Sequence, residues 1–107
     1  MSGSPGDLGN ILKQAQRMQQ AMEEARAELA EATVEGNAGG GKVRVIVTGD
    51  GQVTAVKLAE GVVESGDREA VEDLLLAALR DGISRAMQLR EERMAKVSGG
   101  LQLPGLM

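Results

Sequence analysis

The sequence predicts an α+β protein in which a long helix, a two- to three-stranded antiparallel hairpin sheet and a second long helix follow one another. An unbroken heptad pattern near the N-terminus and a second apolar stretch of helical period after residue 66 predict the helices. β-branched residues on either side of an Asp-Gly pair predict the hairpin. A chain of 107 residues suits one domain, which we expect to span 1–107 with flexible ends at about 1–6 and 98–107.

The first helix follows from apolar residues spaced alternately three and four apart. Ser4 can cap this helix, with Pro5 as its first residue and Asp7 in a capping-box position. We expect the helix to fray near Glu35 and Gly36. Roughly 37 Å of helix with one narrow apolar stripe needs a partner helix, in the same chain or in a second copy. The stripe consists of Leu8, Ile11, Ala15, Met18, Met22, Ala25, Leu29 and Ala32.

The sheet is predicted from the segment after a glycine-rich run. Residues 42–48 place valines at every second position, which is typical of a strand with one buried face. Asp50 and Gly51 form a hairpin signal, and residues 53–58 make the return strand. Residues 33–35 can add a short third strand across the glycine turn. So small a sheet needs a helix or a second sheet against it.

The second helix begins after a connection at residues 61–66. Asp67 can cap it. Residues 71–79 are apolar nearly all round, so this half must be buried on more than one side. Residues 81–96 narrow to a single apolar stripe among charges, and the Ser-Gly-Gly run at 98–100 is expected to end the helix.

The composition excludes several classes of function. The chain has no Cys, His, Trp, Tyr or Phe, so it cannot form disulfides and it lacks the usual catalytic bases and nucleophiles. We therefore expect no enzyme activity, no cofactor and no metal site. No apolar run is long enough to cross a membrane and no secretory signal is visible, so the expected location is the cytoplasm, with no membrane partner.

The glycine-rich run at residues 36–42 matches the spacing of a phosphate-binding loop except at its last position. Val43 stands where that loop needs a Ser or Thr to hold magnesium. The predicted order is also helix, loop and strand, whereas nucleotide binding needs strand, loop and helix. We interpret the run as a turn between strands that does not bind nucleotide.

The charge distribution is more informative than the net charge of −4. Residues 1–22 carry +1 and residues 80–97 carry +2, whereas residues 23–35 carry −4. Antiparallel helices would bring the two basic segments together into a patch that can contact duplex phosphates. The alternative is charge pairing within the second helix, between Asp81 and Arg85 and between Glu92 and Lys96. The residues alone leave both alternatives open.

Three stretches of the chain together resemble the YbaB/EbfC family of bacterial nucleoid-associated proteins. They are residues 8–19, residues 34–51 with their glycine run, and residues 94–105 with a Leu-Pro-Gly tail. The resemblance covers nearly the whole chain. It implies a tweezer-like homodimer joined through its sheets, which binds duplex DNA between or along its long helices in the bacterial nucleoid. Replication or recombination proteins are the further partners that it suggests.

The resemblance and the charge pattern indicate the same basic residues. Two of them fall in the first family motif, one falls in the last, and three lie on the matching second helix. We expect phosphate contacts that affect nucleoid organisation or gene expression. The alternative is a helical adaptor for replication or recombination factors without direct DNA contact. The predicted DNA-binding residues are Lys13, Arg17, Arg85, Arg90, Arg93 and Lys96.

Overall fold

The computed structural model describes residues 5–100 and confirms the predicted α+β order of long helix, antiparallel sheet and long helix. The predicted Ser4 cap and the Leu-Pro-Gly tail lie outside these residues. The elements are α1 (Pro5–Glu31), β1 (Thr33–Ala38), β2 (Val43–Thr48), β3 (Val53–Leu58), α2 (Glu60–Glu64) and α3 (Arg68–Gly100).

The main difference from the sequence prediction is the end of the first helix. The prediction placed it near Glu35 and Gly36, but α1 ends at Glu31 and β1 follows almost at once. β1 pairs antiparallel with β2 along its full length. The β-branched Thr33 and Val34 favour a strand over a helix. Pairing with β2 also satisfies the backbone N–H and C=O groups of this segment. The third strand is therefore confirmed and is longer than predicted.

The three strands form one antiparallel sheet in the order β1-β2-β3. The glycine run connects β1 to β2, as the sequence interpretation required. Its Gly39, Gly40 and Gly41 have φ of 63°, 67° and 90°, a region that residues with a Cβ rarely adopt. The β2–β3 turn contains the predicted Asp-Gly pair, with Gly51 at φ 92°.

The core lies between the sheet and α3, which crosses β1 and β2. Val43, Val45 and Val47 of β2 are fully buried against this helix. The crossing is close because Gly36 of β1 has no side chain. A Cβ built on Gly36 would lie 2.3 Å from the carbonyl oxygen of Ala78 in α3. Backbone therefore packs on backbone, and this contact fixes the position of α3 on the sheet.

Both ends of α3 differ in detail from the prediction. The segment predicted as a connection contains the short helix α2, whose Val62 is buried in the core. The Asp67 cap is confirmed, since the Ala70 backbone N–H donates to Asp67 Oδ1 at 3.1 Å. At the other end α3 continues through Ser98 and Gly99 rather than ending there. None of the helices within residues 5–100 is both long and apolar enough to cross a bilayer.

Candidate nucleic-acid interface

α1 and the last part of α3, residues 86–100, pack side by side and antiparallel, as predicted. We call this pair the helical arm. The stripe of α1 faces α3 along part of its length, where Ala25 and Leu29 are buried. Further along the arm the two helices border one shallow cleft. The cleft is lined by Met18, Met22, Arg26, Arg90, Met94, Val97 and Ser98.

Two of the six predicted basic residues are held in ion pairs. Arg93 donates from Nε to Glu28 Oε2 at 2.7 Å, which joins the two helices of the arm. The hydrogen bond from Arg93 lowers the pKa of the Glu28 carboxyl. The same hydrogen bond raises the pKa of the Arg93 guanidinium. Arg93 therefore already has an anionic partner inside the protein.

Arg85 is the second paired residue. Its Nε donates to both carboxylate oxygens of Asp81, at 3.1 and 3.2 Å. Asp81 also accepts a hydrogen bond of 2.9 Å from the backbone N–H of Asn37 in β1. That bond first, and Arg85 second, lower the pKa of Asp81. The Asp81–Arg85 pair predicted as an alternative is thus confirmed, and it fastens α3 to the edge of the sheet.

The other four predicted residues are exposed and have no ion pair within 4.0 Å among residues 5–100. The predicted pair between Glu92 and Lys96 does not form there. Arg90 lies at the cleft between the helices, and it also borders the β2–β3 turn. The residues without an ion pair are Lys13, Arg17, Arg90 and Lys96.

The six residues do not all share one surface. At about 100° per residue, Lys13 and Arg17 lie roughly opposite the stripe of α1 that faces α3. Arg90, which is on α3, instead lies at the cleft that this stripe lines. Along the α3 axis, Arg85 and Lys96 are separated by about 16 Å. The structure therefore places basic groups on two sides of the helical arm, whereas the sequence prediction gathered them into one patch.

Arg26 is a basic residue that the sequence prediction passed over. It sits in the acidic segment 23–35, and the charge count of that segment obscured it. The antiparallel packing of the helices brings Arg26 to the same cleft as Arg90. The signal that could have found it is the position of Arg26 four residues after Met22, because this spacing puts both on the side of α1 that meets α3.

The fold and this surface define a class: a small α+β protein whose paired long helices carry exposed basic side chains beyond a compact sheet. The model of the YbaB/EbfC DNA-binding family matches residues 4–101. The chain belongs to this family, as the resemblance of its motifs predicted. A Helicobacter pylori protein described as uncharacterized shares the fold. Its crystal structure matches with a TM-score of 0.67 at 23% identity, over 84% of this chain and 91% of that one.

Several relatives carry the name nucleoid-associated protein. One from Nocardia farcinica is 41% identical over 97% of this chain and 94% of its own length. Another from Agathobacter rectalis is 44% identical over 92% of this chain and 88% of its own length. A third from Thermoanaerobacter pseudethanolicus is 39% identical over 97% and 96%, respectively. The family description names DNA binding and no reaction.

Proposed function

We propose that this protein binds duplex DNA as a homodimer, mainly through contacts between phosphates and the basic side chains of the helical arm. It acts in the cytoplasm, on the bacterial nucleoid, where it affects nucleoid organisation or gene expression. The observation that carries the proposal is a set of exposed arm residues that have no ion pair with any other residue in the range 5–100, in a chain that belongs to a DNA-binding family. These residues are Lys13, Arg17, Arg90 and Lys96.

The electrostatics of the arm favour a phosphate backbone as the target. A net charge of −4 repels DNA as a whole, so binding needs local positive charge that is free to meet phosphates. Lys13 and Arg17 are one helical turn apart, about 6 Å along the axis, and project to the same side of α1. The chain has no aromatic residue on which bases could stack, so a duplex is a better target than a single strand.

An uncovered apolar surface on β3 supports the homodimer. Val53, Val56 and Leu58 pair with the buried valines of β2, so they lie on the sheet face that α3 covers elsewhere. α3 crosses β1 and β2 instead, and Val56 is 47% exposed. β3 is also an edge strand, whose free backbone groups can pair with another strand. A second copy that covers this surface would join the two sheets and leave both arms projecting.

The DNA contact is tested by titrating a random and a palindromic duplex at several salt concentrations. Each neutralised phosphate releases counterions, so four to six contacts should lower affinity by roughly two to three decades between 50 and 200 mM salt. Changing Lys13 and Arg17 together to Ala should weaken binding equally on both duplexes and reduce the logarithmic slope by about two.

A matched control changes Arg85 to Ala. Arg85 is occupied by Asp81, so we expect a smaller loss of affinity than for Arg90→Ala, which removes an exposed group without an ion pair among the described residues. Unchanged affinity and slope in the double Lys13 and Arg17 variant, with its helix content intact by circular dichroism, would contradict the phosphate contact. The arm would then serve as an adaptor surface for replication or recombination proteins.

The homodimer is tested by light scattering at micromolar concentration, where the mass should be twice the chain mass of 11.2 kDa. A charge in the middle of the β3 surface should separate the copies, so Val56→Lys should give a monomer. Val63→Lys is the control, because Val63 is exposed on α2 outside this surface. A monomeric wild type at all concentrations, or a dimeric Val56→Lys variant, would contradict the proposed interface.

A further inference from the structure

An open cavity of about 350 Å³ lies at the start of α3, at the other end of this helix from the arm. Most of its wall consists of apolar side chains from α2, from α3 and from the residue that precedes α2. Val62 comes from α2, Val71 and Leu74 come from α3, and Ala59 lies between β3 and α2. A concave site of this size with a mostly apolar wall is typical of pockets that bind small molecules.

The polar side chains that line the cavity differ in whether they have partners. Ser65 donates from Oγ to the carbonyl oxygen of Val62 at 2.7 Å and accepts from the backbone N–H of Asp67 at 3.3 Å. Asp67 accepts the capping hydrogen bond from Ala70. Lys42 also lines the cavity, but it has no ion pair and no side-chain hydrogen bond with another residue in the range 5–100. The cavity therefore combines an apolar wall with a cation that is available to a ligand.

The fold holds Lys42 at the edge of this cavity. The carbonyl oxygen of Lys42 accepts a hydrogen bond of 2.8 Å from the backbone N–H of Ala59, which extends the pairing of β2 with β3 by one residue pair. A Cβ built on Gly39 would lie 2.9 Å from Leu74 Cδ2 and 3.6 Å from Lys42 Cδ. Because Gly39 has no side chain, the aliphatic part of Lys42 can lie close to Leu74, which belongs to the wall. The cation and the wall are thus parts of one site.

We propose that this cavity binds an aliphatic monocarboxylate of medium chain length, with its chain against the apolar wall and its carboxylate on Lys42. A carboxylate can accept a charge-assisted hydrogen bond from the lysine, which a neutral ligand cannot replace. Asp67 borders the same cavity and repels a second negative charge, so a single carboxylate suits the site better than a phosphate or a nucleotide. Ala70 lies about 24 Å along α3 from residue 86, where the arm begins, so the proposal does not depend on DNA binding.

The charge contact is tested by calorimetric titration of the whole chain with octanoate and with octanol. Lys42→Gln should weaken octanoate binding about tenfold or more, because a hydrogen bond to a charged group is lost. Octanol should bind the wild type and Lys42→Gln equally, since it has no charge for Lys42 to meet. Lys57→Gln is the matched control, because Lys57 pairs with Arg44 on the sheet face opposite the buried valines. An equal loss of octanoate affinity in the two lysine variants would overturn the proposal.

The apolar wall is tested by changing the length of the ligand and the volume of the cavity. Octanoate should bind about sixteenfold more tightly than hexanoate, at roughly fourfold for each added methylene group. Ala70→Leu adds bulk at the cavity and should weaken octanoate binding about tenfold, whereas Ala77→Leu, at an exposed position of α3 outside the cavity, should not.

Affinity that does not depend on chain length would contradict the proposal, as would unchanged affinity in Ala70→Leu with intact helix content. Absence of octanoate binding at millimolar concentration would also contradict it. If Ala70→Leu at the same time lowered the mass measured by light scattering, the cavity would be occupied by a second copy instead.

Discussion

The sheet and the part of α3 that covers it, which we call the sheet layer, differ from the helical arm in how closely their residues pack. α3 belongs to both regions. In the sheet layer, three valines of β2 are fully buried and the backbone of Gly36 touches the backbone of α3. In the arm, the helices meet along a narrow stripe, and most side chains of the first half of α1 are exposed. Close packing holds the first region in one geometry. The helical arm has few buried contacts, and its exposed charged side chains are the groups that are available for binding.

We infer from this difference that the sheet end of α3 contributes mainly to stability and that its arm end contributes mainly to binding. Substitutions in the sheet layer should change the free energy of unfolding, because the residues there are closely packed and a change in side-chain volume cannot be accommodated without strain. Substitutions in the arm should change interactions with solution partners and leave the fold nearly unaffected. The following predictions test this division, from the largest expected effect to the smallest.

The largest effect is expected at the contact between Gly36 and α3. Gly36→Ala puts a methyl group 2.3 Å from backbone atoms of Ala78 and Gly82, which cannot move aside unless the helix moves. Overpacking of this kind should lower the free energy of unfolding by about 3 kcal/mol or more. Urea denaturation measures it.

The matched control for that glycine lies in the arm. A Cβ on Gly9 would meet nothing within 4 Å, so Gly9→Ala should stabilise α1 through its helix propensity, by at most about 1 kcal/mol. If both substitutions changed stability equally, the proposed division between the sheet layer and the arm would be wrong.

A smaller effect is expected on DNA affinity when Arg93 is released. Glu28→Gln removes the carboxylate that holds this arginine, which should add about one phosphate contact and steepen the logarithmic salt slope by about 0.9. Glu31→Gln is the control, because it removes the same charge from α1 without releasing an arginine. Both variants should bind slightly more tightly through reduced repulsion, and only Glu28→Gln should change the slope. An identical slope in the two would show that Arg93 does not meet phosphate.

The smallest effect is a dependence of stability on pH. The pKa of Glu28 in the folded protein is lowered from 4.5, so the folded state prefers the ionised carboxylate. Its contribution is present above that ordinary value and is lost as the pH falls through the lowered folded pKa. Asp81, lowered from 3.8, should act in the same direction over a more acidic range. Urea midpoints between pH 7 and pH 3 should therefore fall less steeply for Glu28→Gln than for the wild type.

A second variant separates this ion pair from general acid denaturation. Arg93→Gln removes the same hydrogen bond from its other end, so the double variant should have the pH dependence of either single variant. Additive changes in the double variant would mean that Glu28 and Arg93 act on stability through other groups.

The sequence predicted most of the fold because its signals are local. The alternation of Val43, Val45 and Val47 defined β2, and the Asp67 cap defined the start of α3. The end of α1 was predicted too late, since only the pairing of β1 with β2 makes a strand at Thr33 favourable. The close approach at Gly36 is also absent from any local pattern, because it depends on where α3 crosses the sheet.

The candidate site was harder to predict than the fold. The sequence identified the basic residues of the arm, but not which of them have partners. The pair between Asp81 and Arg85 was visible as an i,i+4 spacing. The pair between Glu28 and Arg93 joins residues 65 positions apart, and only the register of the two helices brings them together. The same register brought Arg26 to the cleft. Assigning partners therefore required the structure.

The contact between Gly36 of β1 and Gly82 of α3 also affects the position of the far end of α3. Gly82 and Gly36 set the direction of α3 on the sheet, and α3 continues for 18 residues from Gly82 to its last described residue. That length is about 27 Å, so a tilt of α3 by about 10° at Gly82 would displace its far end by about 5 Å. A hydrogen bond to a phosphate tolerates far less than this. The direction of α3 in the helical arm is thus set by two residues that have no side chain.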